Sequence, residues 1–481
     1  MTSAQFLKRP WSANWHEEAE LFLSDFITNR YGERARNAIA LRCPYLLIDK
    51  GVPFAGILHK DNPSSGAYGG TSFVIFPSDV NGALIALGVG TQGLSPDEAI
   101  LTRPGHARVV KAFASWLRCN AALSTAWAKT DPTRIDISMP AEVSTKYVQH
   151  DSVIKRYGEV LYLTISAIDV PDDELEQLFV ALLDLYMFER GISPLVRFQA
   201  EAREFRAKYE SRVFQSATSE DIHVLLKERR FVIVQGPPGT GKTRLACNLI
   251  ERQFTGRGTV IQFHPAIGYE QFVGGLAPVE RGGVFGFEAV AGHLLRAAKE
   301  AAANPTPYLL VIDEINRTDL SRTLGEAIYL FEPNQPDRTV ELSYNFGPPW
   351  NKALRLPPNL FVLGTMNSAD RSIAILDLAI RRRFAFVDLW PDATTLVTGP
   401  KLAQAAFANL QRIFMQQAND EQLALLPGHA YFFAQTEEEA RRRMRSELMP
   451  LLRDYLKNGL VAGFAEEIEG YLQWIDAQTA S

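Results

Sequence analysis

The chain has 481 residues, 46% of them hydrophobic and 22% charged, with 50 Lys and Arg against 55 Asp and Glu for a formal net charge of −5. That length predicts two or three domains, and the ordinary totals of 33 Gly and 27 Pro exclude a fibrous or largely disordered protein. The charge excludes a globally basic nucleic-acid coat, though not a local basic groove.

Three scattered cysteines, Cys43, Cys119 and Cys247, form no metal-ligand spacing and no disulfide framework, which predicts a reducing, cytoplasmic setting. The first residues lack the apolar stretch of a secretory signal, and no apolar run approaches the ~18 residues of a membrane span. No membrane association is expected.

In chain order, residues 15–29 carry apolar positions at helical spacing, while Leu46 to Ile48, Ser72 to Phe76 and 81–90 read as strands. Residues 105–118 and 171–189 read as helices, the second with an acidic first turn that suits the exposed amides there. Asp61 to Gly70 and residues 91–104 are turn-rich, and 196–218 is a linker or connecting helix. Strands are then expected at 231–234, 260–263, 308–312 and 360–364 with helices between them, an alternation that predicts a parallel sheet covered by helices on both faces. Residues 400–416, 436–457 and 462–476 complete a helical appendage. The predicted domains are 1–200 (α+β), 201–391 (α/β) and 392–481 (helical).

The strongest local signal is Gly236-Pro237-Pro238-Gly239-Thr240-Gly241-Lys242-Thr243, which follows the apolar run Phe231 to Val234 and opens a helix. Successive amides of such a loop surround polyphosphate oxygens. Lys242 supplies a charge to the β and γ phosphates, and Thr243 a hydroxyl for Mg²⁺. Tyr308 to Ile312 would bury a second strand and place Asp313 and Glu314 at its exit, Asp313 on the Mg²⁺ side and Glu314 as the base or water-orienting group. A third strand end delivers Thr365, Met366 and Asn367, and the Asn367 amide is the candidate sensor of the γ phosphate. Asp370 and Arg371 follow in a turn. Arg381, Arg382 and Arg383 cannot all be buried without partners, so at least one is expected to reach a nucleotide held by a neighbouring subunit.

Together these segments resemble the AAA+ superfamily and, within it, the McrB branch of type IV (modification-dependent) restriction systems. Four features carry the narrower resemblance: Gln262 to Pro265 with Tyr269 to Gly275, Asp313 to Arg317 with Gly325-Glu326, Gly364 to Ser372, and Leu426 to Phe433. Gln271 stands where the family has an aspartate, and Ala266 and Gly268 replace more polar residues. The resemblance spans residues 225–460 and implies an AAA+ P-loop core with a C-terminal helical lid. Lys242, Thr243, Asp313, Glu314, Asn367 and Asp370 fall on family functional positions, with Arg381 to Arg383 in the arginine-finger region. It further implies a hexameric, GTP-hydrolysing ring with Mg²⁺, ATP being the alternative nucleotide. An McrC-like subunit would carry the nuclease, and modified double-stranded DNA would be met through the N-terminal domain in antiviral defence.

Residues 1–200 hold 19 Lys and Arg against 22 Asp and Glu, so any DNA contact there is focused rather than diffuse. The eight histidines form no HxH or HExxH pattern, which argues against zinc, although His264 and His429 lie within the family-like motifs. No nuclease constellation follows residue 391. An ATP-dependent remodelling protein acting on protein substrates is the alternative function.

Overall fold

A computed structural model describes residues 1–45, 51–62, 69–119, 123–281, 284–369 and 378–479. The expected strand Leu46 to Ile48 lies outside them, as do Asp370 and Arg371. The chain divides into two compact units, Met1–Phe214 with Met415–Asn419, and Gln215–Phe414 with Asp420–Ser481.

The first unit is built on six strands, β1 (Ile39–Arg42), β2 (Ala55–His59), β3 (Thr71–Phe76), β4 (Leu84–Val89), β5 (Trp127–Ala128) and β6 (Leu161–Ser166). They pair antiparallel in the order β1-β2-β3-β4-β6-β5. Alternation sends Phe73, Ile75, Ile85 and Leu87 into a core shared with the helices Trp15–Tyr31, Pro104–Arg118 and Asp172–Phe188. Val74, Phe76, Leu84 and Ala86 face a smaller core with Tyr147 and Val153. β1, β2 and β6 had no counterpart among the expected elements, because runs of four to six residues without polar alternation resemble any buried segment. The stretch 196–218 contains the helix Gln199–Glu210, whose Phe205 and Tyr209 join the first unit's core.

The second unit holds β7 (Phe231–Gly236), β8 (Gly258–Gln262), β9 (Gly274–Arg281), β10 (Val284–Ala291), β11 (Tyr308–Asp313), β12 (Val340–Glu341), β13 (Ala353–Leu354), β14 (Leu360–Asn367) and β15 (Ala385–Asp388). Five of these form a parallel sheet in the order β15-β7-β14-β11-β8. Both faces are covered. Phe231, Ile233, Leu310, Ile312 and Val362 enter one core; Val232, Val234, Leu309, Val311 and Leu363 enter the other. This is the α/β layering that the strand–helix alternation predicts.

The hairpin β9–β10 was not foreseen, and it presents Phe285 and Phe287 to solvent. The helical appendage comprises Lys401–Gln417, Glu437–Arg443 running through one π turn into Met449–Lys457, and Ala465–Thr479. Phe414 packs on Phe464 with ring centroids 5.2 Å apart, and Tyr471 donates its hydroxyl to Ala406 O at 2.8 Å. No helix among the described residues is long and apolar enough to cross a membrane.

Candidate active site

Parallel pairing brings the carboxyl ends of β7, β14 and β11 to one edge of the sheet. β14 lies between the other two, with Asn367 level with Gly236 and Gly364 level with Ile312. The glycine loop leaves β7 at Gly236 and enters the helix Lys242–Gln253. Gly239 and Gly241 have φ of +77° and +81°, a path that side chains disfavour. Lys242 is buried, and its Nζ donates to Gly236 O at 3.0 Å and Pro237 O at 2.7 Å. Burial pulls its pKa down to about 8, against the opposing pull of Asp313 and Glu314.

One carboxylate oxygen joins the glycine-loop helix to the ends of β11 and β14. Thr243 Oγ1 donates to Asp313 Oδ1 at 2.8 Å, and Thr365 Oγ1 donates to the same oxygen at 2.5 Å. The Glu314 N–H in turn donates to Thr365 Oγ1 at 3.2 Å. Thr365 and Asn367 share a face of β14 because strand side chains alternate, so a hydroxyl two residues before the sensor amide was the overlooked signal. Ser368 N–H donates to Gly236 O at 3.0 Å, which ties the end of β14 to the loop. The Asn367 carbonyl accepts from Asn316 Nδ2 at 3.4 Å.

Glu314 sits at φ +54°, a left-handed backbone that a non-glycine residue adopts only when its surroundings impose it. Its carboxylate pairs with Arg317 Nε at 3.0 Å. The Thr243 hydroxyl and the Asp313 carboxylate are hard oxygen donors of the kind Mg²⁺ takes. No cluster of three or more His, Cys, Asp or Glu among the described residues could hold a metal, so phosphate oxygens and water would have to complete the shell.

The arginine run is split by the fold. Arg383 is 6% exposed; it donates to Ala379 O at 2.9 Å and lies 3.6 Å from the Glu332 carboxylate, so it serves its own subunit. Arg381 and Arg382 point outward, Arg381 over the Phe386 ring at 5.6 Å and Arg382 3.9 Å from Glu332. Of the three arginines, Arg381 and Arg382 are thus the ones exposed to solvent.

The appendage reaches the glycine loop through Leu426 to Phe433. Gly428 N–H donates to Pro238 O at 2.9 Å and Ala430 N–H to Gly239 O at 3.0 Å. A Cβ on Gly428 would stand 2.1 Å from Gly239 C and O, so glycine is required for this approach. His429 Nδ1 accepts the Asp392 N–H at 3.1 Å, which leaves its proton on Nε2, the atom 3.8 Å from where a Cβ on Gly241 would lie. Burial lowers the His429 pKa further, so the ring is neutral and Nε2–H is a fixed donor beside the loop. His264, by contrast, is exposed.

The remaining motif residues brace the frame. Tyr269 donates its hydroxyl to Glu326 Oε1 at 2.6 Å, and Gln271, in the place of the family's aspartate, accepts the Gly268 N–H at 2.9 Å as a helix cap.

Residues 231–384 match the AAA domain (dynein-related subfamily). The chain is 31% identical over 264 residues to the type IV methyl-directed restriction enzyme EcoKMcrB subunit of Escherichia coli, covering 50% of this chain and 56% of that protein. The chain is thus similar to an McrB subunit over half of its length. A second relative is the type II restriction enzyme BsuMI component YdiS of Bacillus subtilis, 26% identical over 211 residues, 36% of this chain and 60% of that one. A solved structure from Cytophaga hutchinsonii shares 15% identity at a TM-score of 0.26, covering 44% of this chain and 57% of the other, a likeness too slight to bear on the fold. The chain thus spans less than two thirds of the length of either curated relative.

Proposed function

We propose that this McrB-like protein is a nucleoside-triphosphate-hydrolysing motor subunit of a restriction system, with GTP as its preferred nucleotide. The carrying observation is the shared Asp313 oxygen, where a hydroxyl from the glycine-loop helix and a hydroxyl from the sensor strand converge beside Glu314. Such an arrangement suits phosphoryl transfer, in which catalysis is mostly positioning and charge neutralisation.

The amide N–H groups from Gly239 to Thr243 surround the β and γ phosphates, and the Lys242 ammonium exchanges its loop carbonyls for phosphate oxygens. Thr243 and Asp313 would hold Mg²⁺, which when bound neutralises phosphate charge. Glu314 orients the attacking water and takes its proton, once its carboxylate is released from Arg317. The Asn367 amide holds the water or a γ oxygen between them. By resemblance, Asp370 falls on a functional position of the family. Arg381 or Arg382, being solvent-facing, completes the site of a neighbouring copy in a hexameric ring, so hydrolysis depends on assembly.

The Escherichia coli relative is a subunit of a methyl-directed restriction enzyme, and we assign the same context to this chain. We assign recognition of modified duplex DNA to the first unit, translocation to the second, and cutting to an McrC-like partner. The test is hydrolysis of GTP and ATP side by side at assembling concentrations, with and without modified duplex. GTP turnover above ATP, raised by the duplex, is the expected result. ATP-only turnover raised by an unfolded protein instead would replace this reading with the remodelling function.

A further inference from the structure

The helix Lys242–Gln253 starts from Gly241, and no side chain caps it. Its first-turn N–H groups have no acceptor within the helix, so this end favours an anion. Two side chains beyond the glycine loop stand near it: His429, from the appendage, and Arg244, from the first turn of the helix itself.

Several contacts fix the backbone that carries His429. Gly428 and Ala430, on either side of it, donate N–H groups to Pro238 O and Gly239 O. The Tyr431 ring covers Gly239, where a Cβ would stand 3.0 Å from it. From behind, Arg443 donates to Ala430 O at 3.1 Å and to Phe433 O, and it is itself held by the Glu447 carboxylate at 2.9 Å. A side chain on this segment has little freedom to turn away from the loop.

The ring is used on one side only. His429 is 8% exposed, and Nδ1 accepts the Asp392 N–H at 3.1 Å. Nε2 has no hydrogen-bond partner among the described residues, yet it keeps solvent-accessible surface, in contrast to both ring nitrogens of His150. A largely buried N–H donor without an acceptor needs an explanation. Nε2 lies 3.8 Å from where a Cβ on Gly241 would stand, and no other residue beyond Gly241's own neighbours, among those described, comes within 4 Å of that point. Space is therefore open in front of the donor. Two charges face the ring, the Asp392 carboxylate and the Arg244 guanidinium, and they act on it in opposite senses. Asp392 turns its carboxylate to Thr394, at 2.8 Å from the N–H and 2.6 Å from the hydroxyl, whereas Arg244 is exposed. Helix amides, a neutral N–H and a guanidinium are all donors, and a phosphate is the group that answers all three.

We propose that His429 binds the nucleotide directly: its Nε2–H donates to a phosphate oxygen held at the start of the helix Lys242–Gln253, and Arg244 neutralises the same phosphate chain from the solvent side. This rests on the reading of the glycine loop as a nucleotide site and adds to it a contact from the appendage. Occupancy of the loop then holds the appendage in place through a bond that the empty loop does not offer.

The full chain carrying Glu314→Gln, so that triphosphates survive the measurement, is titrated at equilibrium with GTP, ATP and their diphosphates. His429→Asn keeps an oxygen near the place of Nδ1 for the Asp392 N–H but removes the Nε2 donor. Affinity should fall about tenfold or more, the loss expected for a hydrogen bond to a charged group, while the free chain melts at the same temperature. His429→Gln carries an amide N–H to the place of Nε2 and should recover most of that affinity. Arg244→Ala should weaken binding and lessen its salt dependence. Recovery by Gln where Asn fails supports the proposal. His429→Asn binding as tightly as the parent overturns it and leaves the nucleotide reading standing. Equal losses in the Asn and Gln variants make His429 a brace of its segment and end the proposal. Arg244→Ala with unchanged affinity removes Arg244 from the site. A parent chain that binds none of the four nucleotides overturns this proposal and the hydrolase reading together.

Discussion

The joint between the appendage and the glycine loop is open to one small perturbation, Gly428→Ala. The added methyl would meet Gly239 C and O at 2.1 Å and Pro238 O at 2.6 Å. These are backbone atoms, so no rotamer change relieves the clash. The segment must move, and with it go the hydrogen bonds from Gly428 N–H to Pro238 O and from Ala430 N–H to Gly239 O. Two such bonds contribute about 1–3 kcal/mol net, and overpacking adds about 1–3 kcal/mol. The docked arrangement should therefore lose about 2–6 kcal/mol. If the nucleotide is held by loop and appendage together, even the lower figure corresponds to a rise of about 30-fold in KM. Steady-state phosphate release over a range of GTP and ATP concentrations measures it. Gly463→Ala is the control, because nothing lies within 4 Å of its added methyl. Equal KM and kcat for the two variants would refute the view that the docked segment helps hold the nucleotide.

Glu314→Gln should lower kcat by about 10²–10⁴ while nucleotide affinity by equilibrium titration stays within a few-fold, since only proton removal is lost. Thr365→Val should deprive Asp313 Oδ1 of its 2.5 Å donor and reduce turnover about tenfold or more, with the melting temperature separating this from unfolding. Mixing Lys242→Ala with Arg381→Ala or Arg382→Ala should restore some hydrolysis at hybrid interfaces. Arg383→Ala should instead lower stability by about 1–3 kcal/mol, because the inward guanidinium leaves Glu332 and Ala379 O behind. His150 makes stability depend on pH: its folded pKa of about 4 lies below the ordinary 6.5, so its contribution is whole above pH 6.5 and is lost as pH falls toward 4. The slope is about 1.4 kcal/mol per pH unit in that window, and chemical denaturation of His150→Phe should show it removed.

Much of the candidate site was legible in the sequence. A glycine loop between an apolar strand and a helix has a contiguous geometry, so Gly236 to Thr243 could be placed from spacing alone. Residues 308–312 and 360–364 were readable as strands because both lie inside a two-faced sheet and are apolar almost throughout. Asn367 could be given a candidate role, whereas Thr365, named beside it, could not, because its part depends on which strand lies alongside. The hairpin β9–β10 escaped notice because half of its described residues are exposed, and exposed strands lack the apolar periodicity that reveals buried ones. The arginine run looked uniform, yet helical geometry turns Arg383 toward Glu332 and leaves Arg381 and Arg382 outside.

Residue order along the chain determined which chemistry this protein carries: a phosphate-binding turn, an acid pair at a strand exit, and a polar amide after a third strand. Each is a local pattern, set by a few neighbouring residues and the periodicity of the element that bears them. Only the tertiary structure decided that β14 runs between β7 and β11, that Thr243 and Thr365 meet on one oxygen of Asp313, and that Gly428 and His429 lie against the glycine loop. Those contacts join residues 52 to 190 positions apart, and pairing at such separations is selected by the packing of whole sheet faces rather than by any local preference.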